Sequence, residues 1–331
     1  MRLLVLSAAD VRAVLSFAEC TAAMRDGLIA LASGRARQPL RTVITPDGAA
    51  GLMALMPSYL AGQGGQQAAY GLKAICITPA NPAAGLDTHQ GVVVLSDGAT
   101  GEPLALLNAS AVTEIRTAAV SVVATDLLAR PDAGQLAVIG TGVQARAHIL
   151  ALDGARELGQ IRVAGRTAAS AEQFAASLDG LTAAPVTACR SARDAVAGAG
   201  IIVTATSSAR PVLDRDWIAP GSHINAVGAC LPHQRELDTA TVAAGVLFAD
   251  RRDGLLTESG DYLLAAAEGE VTPAWVRGEL GELLLGTAAG RASAEEITIF
   301  ESLGLAIEDL AAARRAYLLA VENGAGSWID F

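Results

Sequence analysis

The sequence predicts an α/β protein with two domains, one built on a parallel, doubly wound sheet and the other of the α+β kind. The chain has 331 residues, of which 52% are hydrophobic and 18% are charged. It is therefore long enough for about two domains with cores of their own, and too apolar to be disordered. From 41 to about 109, short apolar runs alternate with turn residues, which is typical of antiparallel strands. From residue 135 onward, strands alternate with helices, which is typical of a parallel sheet.

The charge and cysteine content limit the class of function. The formal net charge is −10 and the pI is about 4.9, which does not fit binding to nucleic acid or to an anionic membrane. No apolar run is long enough to span a membrane, and Asp10 and Arg12 follow the short apolar start where a signal peptide would be cleaved. The four cysteines form no CxxC pair, so we expect a cytoplasmic protein without disulfides or a metal site.

Local signals divide the first third of the chain. Ser7-Ala-Ala-Asp10 is a capping box that predicts a helix over 8–33. Asp97-Gly-Ala-Thr-Gly101 predicts a hairpin turn between two strands. Residues 78–89 are rich in Pro, Asn and Gly and predict a loop between the strands of this region.

The remaining elements follow from the same kinds of signal. A helix is expected over 113–129, with Thr113 as its N-cap and Pro131 after its end. The tail from 293 to 323 is expected to be mostly helical, because Ser293-Ala-Glu-Glu is a second capping box. Between them, apolar runs predict the strands 135–140, 161–164, 201–205, 223–227 and 246–249, with helices over 143–157, 170–178 and 192–197.

A glycine-rich turn after the strand 135–140 is the most informative motif. It reads Gly140-Thr-Gly-Val-Gln-Ala145 and has the pattern GxGxxA. Gly140 allows a tight turn, Gly142 lets the backbone approach a pyrophosphate, and Ala145 permits close packing of the helix on the strand. A plain turn is the alternative, but a dinucleotide site requires this order of strand, turn and helix. The predicted cofactor-binding residues of this turn are Gly140, Thr141, Gly142, Val143, Gln144 and Ala145.

The end of the next strand indicates which nicotinamide cofactor binds. An NAD site usually has Asp or Glu here, about 20 residues after the first glycine, for the ribose 2′-hydroxyl. This strand instead ends in Gly165-Arg166-Thr167. Arg166 and Thr167 offer a cation and a hydroxyl suited to a 2′-phosphate, although Arg166 could be an ordinary solvated residue. We therefore expect NADP(H) to be preferred, with NAD(H) possible.

Several motifs, which occur along the chain in the family's order, resemble those of the ornithine cyclodeaminase/mu-crystallin family. The most specific is Arg116-Thr-Ala-Ala followed by Gly140-Thr-Gly-Val-Gln-Ala145. The others are Lys73 ahead of Pro79-Ala-Asn-Pro82, Arg235-Glu-Leu-Asp238, Glu258-Ser-Gly-Asp261 and Thr298-Ile-Phe-Glu-Ser-Leu-Gly-Leu-Ala-Ile-Glu-Asp309. The likeness covers nearly the whole chain. Members of this family are NAD(P)-dependent enzymes that act on amino acids or their imines.

The resemblance implies a domain organisation. It predicts a Rossmann NAD(P)-binding domain over 116–304 and a substrate-binding domain formed by both chain ends, 1–115 and 305–331. The second domain is expected to dimerise through its sheet, so a homodimer is expected. The resemblance also adds Thr206, Val227 and Gly228 to the predicted cofactor site.

Three cations match the family's carboxylate-binding residues: Arg41, Lys73 and Arg116. Lys73 lies inside an apolar strand, where a lysine is costly unless it is paired with an anion. Arg116 opens the helix expected over 113–129, where a cation opposes the helix dipole. Arg41 alone could be a surface strand residue. We expect all three to bind a substrate carboxylate, and Lys73 and Arg116 to be catalytic.

One position distinguishes branches of the family. The cyclodeaminases carry a catalytic Asp directly after a strand-end glycine, and here Ala229 follows Gly228. Without that carboxylate, ornithine cyclisation loses its acid–base group. The sequence is therefore more similar to the ketimine reductase branch, which has small residues at this position.

Four further features have weaker functional interpretations. His89 could face the substrate, but a loop histidine is more often solvated. Asp261 matches a family motif near the cofactor, and the N-cap of the following helix is the alternative. Cys230 and His233 are too few to make a zinc site. Glu301 stands where the family often has Lys.

The sequence thus predicts an NAD(P)H-dependent oxidoreductase that reduces a cyclic ketimine carboxylate, Δ1-pyrroline-2-carboxylate or Δ1-piperideine-2-carboxylate, to a cyclic L-amino acid. The cofactor would supply hydride to the imine carbon, and Lys73 or a water that it holds would stabilise the iminium. The alternatives are reductive amination of a 2-oxo acid, as in alanine dehydrogenase or opine-forming enzymes, cyclodeamination of ornithine, and a non-catalytic crystallin-like protein that binds NADPH and a ligand.

Overall fold

A computed structural model describes residues 2–65 and 67–330, which form two compact units. Unit 1 is Met1–Arg116 with Gly304–Phe331, and unit 2 is Thr117–Leu303. Met1, Gln66 and Phe331, which fall in the predicted substrate domain, lie outside the described residues. The assignment of substrate binding and dimerisation to 1–115 with 305–331, and of cofactor binding to 116–304, stays a prediction.

Strands and helices account for most of the described chain. The strands are β1 (Arg2–Leu6), β2 (Ala36–Arg37), β3 (Thr42–Ile44), β4 (Leu52–Leu60), β5 (Ala69–Ile77), β6 (His89–Asp97), β7 (Pro103–Asn108), β8 (Gln135–Ile139), β9 (Gln160–Ala164), β10 (Val186–Ala188), β11 (Ile201–Thr204), β12 (His223–Ala226), β13 (Val246–Ala249), β14 (Val276–Glu279), β15 (Thr298–Glu301) and β16 (Ser327–Asp330). The helices are α1 (Ala8–Val14), α2 (Phe17–Ala32), α3 (Ala109–Leu128), α4 (Val143–Ala155), α5 (Ala168–Ala176), α6 (Ala192–Val196), α7 (Thr239–Ala244), α8 (Arg252–Glu258), α9 (Gly260–Ala267), α10 (Leu280–Leu285) and α11 (Ala306–Asn323). Within the described ranges, no helix is both long enough and apolar enough to cross a bilayer.

Unit 1 is a sheet with one face covered by α11. The strand order is β16-β1-β7-β6-β5-β4-β2, with β3 beside β4, and β4 to β7 are antiparallel as the sequence predicts. Alternate residues of β5 are buried, including Gly71 and Lys73, whereas Tyr70 and Leu72 are exposed. A Cβ at Gly71 would lie 2.9 Å from Cβ of Leu310, so the glycine permits the close approach of α11.

Unit 2 is a parallel sheet of the predicted doubly wound kind. The strand order is β10-β9-β8-β11-β12-β15-β13-β14, and every pairing is parallel. β11 and β12 are buried along their whole length, which explains the apolar run Ile201-Ile-Val of β11. The chain builds outward from β8 in one direction to β9 and β10, and in the other direction to β11 and β12. The topological switch point therefore lies between β8 and β11, where ligands of such sheets bind.

The helix predicted over 8–33 is two helices. The capping box at Ser7 begins α1 as predicted, but the chain becomes extended at Leu15. Ser16 then caps α2, with its hydroxyl accepting a hydrogen bond from the N–H of Glu19. A second N-cap serine inside an unbroken apolar periodicity is the signal that separates the two helices.

The prediction that Thr113 caps a helix is wrong, because α3 begins at Ala109. Oδ1 of Asn108 accepts a hydrogen bond from the N–H of Ala111 and supplies the cap instead. Arg116 therefore does not open a helix, because it lies beyond the N–H groups of the first turn of α3. The helix dipole therefore does not oppose the charge of Arg116, contrary to the prediction.

The helical prediction for the tail is wrong before residue 306. The hydroxyl of Ser293 accepts hydrogen bonds from the N–H groups of Glu295 and Glu296, but no helix follows it. Residues 298–301 instead form β15, an inner strand of the unit 2 sheet that pairs with both β12 and β13. Burial between two strands outweighs the local capping signal. Strands β1 and β16 pair with each other from opposite ends of the chain and were not predicted from the sequence.

Candidate active site

The predicted dinucleotide turn connects β8 to α4 in unit 2. Gly140 has φ of +128°, and a Cβ there would lie 2.4 Å from the carbonyl oxygen of Ala205, so only glycine fits. Gly142 is the N-cap of α4, has no side-chain cap, and faces open space where a Cβ would be. Ala145 is buried, as close packing of α4 requires. A helix N-terminus without a side-chain cap suits an anionic ligand, and Thr141, Val143 and Gln144 lie in the same turn.

The end of β9 approaches this turn closely. A Cβ at Gly165 would lie 2.9 Å from Cγ2 of Thr141 and 2.6 Å from Oγ of Ser170, so a larger residue there would have to displace one of these side chains. Thr167 is the N-cap of α5, and its hydroxyl accepts a hydrogen bond from the N–H of Ser170. Arg166 is exposed between them. The hydroxyl of Thr167 accepts this bond through its oxygen and can still donate its hydrogen, so Arg166 and Thr167 both stay predicted groups for a 2′-phosphate.

The other predicted cofactor residues follow strands β11 and β12. Thr206 follows β11, and Val227 and Gly228 follow β12. A Cβ at Gly228 would lie 2.0 Å from the carbonyl oxygen of Thr206, so the two loops are in close contact. The carboxylate of Glu236, a residue that the sequence analysis did not select, accepts hydrogen bonds from both loops.

These features fit a dinucleotide cofactor. The turn at Gly140 leaves room only for a glycine, the N-terminus of α4 lacks a side-chain cap, and both lie at the switch point of the sheet. The residues predicted to hold the cofactor are therefore grouped at one edge of unit 2, and their individual roles stay predictions.

The predicted substrate residues are grouped in unit 1, around a buried lysine. Lys73 lies on β5 and is only 3% exposed. Its Nζ lies 2.8 Å from Oδ2 and 3.0 Å from Oδ1 of Asp309, and 3.5 Å from the hydroxyl of Thr113. The anion that balances Lys73 in this structure is thus a side chain of α11, so burial of the lysine does not by itself require a substrate carboxylate.

Arg116 contacts the same end of α11. Its Nη1 lies 2.9 Å from Oε2 of Glu308, and its Nε lies 3.3 Å from Oδ1 of Asp309. Asp309 therefore contacts both Lys73 and Arg116. Because both carboxylates are almost fully buried, their charges are screened by little water and act strongly on the two cations.

Arg41 reaches this cluster through Gly304. Its Nη2 donates a hydrogen bond of 3.1 Å to the carbonyl oxygen of Gly304. Gly304 has φ of +82°, and a Cβ there would lie 2.5 Å from Nη1 of Arg116. The glycine therefore allows the two guanidinium groups to approach the same point of the backbone.

Burial and charge shift the pKa values of the titratable groups here. Burial lowers the pKa of Lys73 from its ordinary value to about 8, with Asp309 opposing the shift and Arg116 and Arg41 adding to it. The pKa of His89 is lowered by burial and then by the charges of Lys73 and Arg116. His89 is the first residue of β6 and lies close enough to both cations for their charges to act on it.

Three residues of this cluster were not selected from the sequence: Gly304, Glu308 and Asp309. All three lie in the run Thr298–Asp309 that carries part of the family resemblance. That run was the only signal for them, because an acidic pair in the first turn of a helix is ordinarily explained by the helix dipole.

The remaining candidates are buried structural groups in unit 2. Ala229 is 3% exposed and has no titratable group.

Asp261 is not an N-cap, since Ser259 caps α9. Its Oδ1 instead accepts hydrogen bonds from the backbone of Glu236 and Leu237 at 2.7 and 2.9 Å, and burial raises its pKa to about 7. Burial also raises the pKa of Glu301, which accepts a hydrogen bond of 3.0 Å from the hydroxyl of Ser259.

Comparison with known proteins gives a consistent set of matches. The model of the ornithine cyclodeaminase/mu-crystallin family matches residues 1–323. The chain is 37% identical over 330 residues to a Δ1-pyrroline-2-carboxylate reductase of Bacillus cereus, covering 99% of this chain and 100% of that protein. It is 38% identical over 284 residues to the ketimine reductase mu-crystallin of Mus musculus, covering 86% and 85% of the two chains.

Two solved structures resemble this one over nearly its whole length. The first is a Thermococcus litoralis Δ1-pyrroline-2-carboxylate reductase in complex with NADH and L-proline, with a TM-score of 0.93, 36% identity and coverage of 98% and 99%. The second is an archaeal alanine dehydrogenase dimer with bound NAD, with a TM-score of 0.92, 30% identity and full coverage of both chains.

Proposed function

Because this chain belongs to the ornithine cyclodeaminase/mu-crystallin family, we propose that it is an oxidoreductase that uses a nicotinamide cofactor to reduce a cyclic ketimine carboxylate to a cyclic L-amino acid. Δ1-Pyrroline-2-carboxylate and Δ1-piperideine-2-carboxylate are the proposed substrates. The relatives named Δ1-pyrroline-2-carboxylate reductase and ketimine reductase support the proposal, as does the structure that holds NADH together with L-proline, the amino acid that reduction of the five-membered imine yields.

The observation that carries the proposal is the charge balance of the unit 1 cluster. We call Arg41, Lys73 and Arg116 the carboxylate clamp. The cluster also contains two buried carboxylates, Glu308 and Asp309, so these five side chains together carry one more positive than negative charge. A substrate with a single carboxylate balances that charge. In this proposal Arg41 and Arg116 bind the carboxylate, and His89 lies at the edge of the site.

Lys73 is the proposed proton donor. It is the only lysine among the 24 lysine and arginine residues of the chain, and it can release a proton near neutral pH, which an arginine cannot. Its pKa of about 8 lies close to the operating pH expected for general acid catalysis. Donation of a proton from Nζ to the imine nitrogen makes the imine carbon a better hydride acceptor.

The edge of unit 2 at the switch point is the proposed cofactor site. When bound, the reduced nicotinamide supplies the hydride. The turn Gly140–Ala145 and the N-terminus of α4 would bind the pyrophosphate, and Thr206, Val227 and Gly228 would flank the nicotinamide. We further propose NADP(H) over NAD(H), because Arg166 is exposed at the end of β9 and no acidic residue occupies that position.

Ala229 supports reduction over cyclodeamination. It is buried directly after Gly228, at the position where the cyclodeaminase branch carries its catalytic Asp. A methyl group there can neither accept nor donate a proton, so the amine attack and ammonia loss of cyclodeamination would lack their acid–base group.

Reductive amination of a 2-oxo acid is the second candidate. It is favoured by the full-length likeness to the archaeal alanine dehydrogenase. A 2-oxo acid also carries one carboxylate, so the carboxylate clamp would bind it by the same charge balance. The two candidates differ in whether free ammonia is a co-substrate.

A homodimer formed through the unit 1 sheet is proposed for the assembly. The face of this sheet opposite α11 exposes apolar side chains, among them Met53, Tyr70, Leu72 and Val92. Such a continuous apolar face is typical of a protein–protein interface, and one similar structure is a dimer. A reducing cytoplasm is the proposed location, because no disulfide joins the four cysteines, all of which lie in the described part of the chain.

The proposal is tested by oxidation of NADPH and NADH with each imine, and with pyruvate plus ammonia. Turnover of an imine with formation of L-proline or L-pipecolate, and no requirement for ammonia, is the expected result. Turnover only with pyruvate and ammonia would establish the second candidate. Binding of the reduced cofactor without turnover of any of these substrates would contradict both.

A further inference from the structure

We propose that Glu236 is a positioning residue that holds the nicotinamide end of the cofactor site in shape, through hydrogen bonds to the backbone of Thr206 and Gly228. The inference rests on the proposed function, because it assumes that these two loops flank the nicotinamide.

One carboxylate ties together the loops that follow two neighbouring strands. Oε1 of Glu236 accepts a hydrogen bond of 2.6 Å from the N–H of Thr206, and Oε2 accepts one of 2.6 Å from the N–H of Gly228. Thr206 follows β11 and Gly228 follows β12, which are adjacent and parallel. The carboxylate therefore sets the spacing and direction of both loops at the point where their strands end.

These loops adjoin the turn that is predicted to bind the pyrophosphate. A Cβ at Gly140 would lie 2.4 Å from the carbonyl oxygen of Ala205, the residue before Thr206. A Cβ at Gly228 would lie 2.0 Å from the carbonyl oxygen of Thr206 and 2.6 Å from the carboxylate of Glu236. Neither glycine has room for a side chain, so the three segments are in close contact and a displacement of one loop would displace its neighbours.

Packing alone does not explain why a carboxylate, and not an uncharged side chain, occupies position 236. Glu236 is fully buried, and no ion pair with it is present in residues 2–65 and 67–330. Burial raises its pKa, whereas the N–H and hydroxyl of Thr206, the hydroxyl of Thr204 and the N–H of Gly228 lower it. Burial of a charge supported only by such donors is costly. In return, a single planar group accepts two short, charge-assisted hydrogen bonds from two different loops.

A second buried carboxylate holds Glu236 itself in place. Oδ1 of Asp261 accepts hydrogen bonds from the backbone N–H groups of Glu236 and Leu237, at 2.7 and 2.9 Å. Asp261, Glu236 and the two loops thus form one connected series of hydrogen bonds. This arrangement gives a physical role to the motifs Arg235–Asp238 and Glu258–Asp261, which the carboxylate clamp and the glycine-rich turn leave unexplained.

The test compares Glu236→Gln with Glu270→Gln, the same change at an exposed carboxylate. Glutamine has nearly the same shape, but its NH2 group would face one of the two backbone N–H donors, so one hydrogen bond is lost. We expect the Kd for NADH, measured by the fluorescence of the bound cofactor, to rise about tenfold or more, in line with loss of a hydrogen bond to a charged group. The KM of the variant for the imine should change much less than its KM for NADH, and Glu270→Gln should behave as the wild type does.

An unchanged Kd and KM for NADH in a folded Glu236→Gln protein would overturn the inference. Because that variant could fail to fold, hydrogen–deuterium exchange of the wild-type protein provides a second test. Slow exchange of the Thr206 and Gly228 amides before NADH is added is the expected result, and rapid exchange that slows only with NADH would overturn the inference as well. Both measurements monitor cofactor binding or loop order, so they remain decisive even if the protein does not reduce the proposed imines.

Discussion

The ammonium of Lys73 lies 2.8 Å from the carboxylate of Asp309, and both side chains are buried between β5 and α11. Asp309 also contacts Nε of Arg116 at 3.3 Å. A single acidic residue of α11 therefore sets the positions of two of the three cations in the carboxylate clamp. Asp309 favours the charged form of Lys73 and so stabilises the ammonium group in an apolar strand. Burial has the opposite effect and lowers the pKa of Lys73 to about 8, a value that suits proton transfer.

The pKa of Lys73 can be measured directly, because the chain has no other lysine. Protein labelled with isotopically enriched lysine should give one side-chain NMR signal that titrates near pH 8. If Lys73 must be protonated to act, the rate of imine reduction should fall as the pH rises through this value. Addition of L-proline should raise the pKa, because its carboxylate favours the charged form of the lysine. A titration near the ordinary value of 10.5 would contradict the assigned environment.

Lys73→Met should remove most of the reductase activity and leave the affinity for the reduced cofactor intact. Methionine fills a similar volume but has no proton to donate, and Lys73 lies in unit 1, whereas the predicted cofactor residues lie in unit 2. The loss of general acid catalysis is expected to lower kcat by about a hundredfold or more. Steady-state kinetics and a cofactor titration measure the two effects, and full turnover would exclude Lys73 as the donor.

Asp309→Asn should destabilise the fold strongly. The substitution removes the anion that Lys73 and Arg116 share and leaves buried positive charge uncompensated, which costs about 3 kcal/mol or more of unfolding free energy. Asp132→Asn is the matched control, because Asp132 pairs with Arg130 but its side chain is 75% exposed. The control should lose about 1 kcal/mol or less. Equal losses in urea denaturation would contradict the importance assigned to the buried pair.

Features with a local cause could be predicted from the sequence. The capping box at Ser7, the turn at Asp97–Gly101 and the glycine-rich turn at Gly140 each depend on a few neighbouring residues. The helix boundary at Thr113 failed for an equally local reason, since Asn108 competes for the same role and lies further upstream.

Features with a distant cause could not be predicted. Lys73 and Asp309 are 236 positions apart, so no local pattern connects them. The inner strand β15 has a capping signal before it and becomes a strand only because β12 and β13 enclose it. The local sequence around Glu236 does not indicate its proposed role. That role depends on two loops that the topology brings to its carboxylate.

The cofactor preference depends on Arg166 in this account. The wild-type protein should have a higher kcat/KM with NADPH than with NADH, and Arg166→Asp should reverse the preference, because an acidic residue binds a ribose 2′-hydroxyl and repels a 2′-phosphate. Arg193→Asp provides the control, since Arg193 is also exposed in unit 2. The comparison uses both cofactors with all three proteins, and an unchanged ratio in Arg166→Asp would remove Arg166 from the cofactor site.

In the proposed function, the carboxylate clamp, which has one more cation than the two buried carboxylates beside it, binds the carboxylate of a cyclic imine. The most direct measurement compares kcat/KM for Δ1-pyrroline-2-carboxylate with that for its uncharged carboxamide. Because hydrogen bonds between charged partners are lost with the carboxamide, we expect its kcat/KM to be lower by about a hundredfold. Equal values for the two imines, or turnover of neither, would contradict the account.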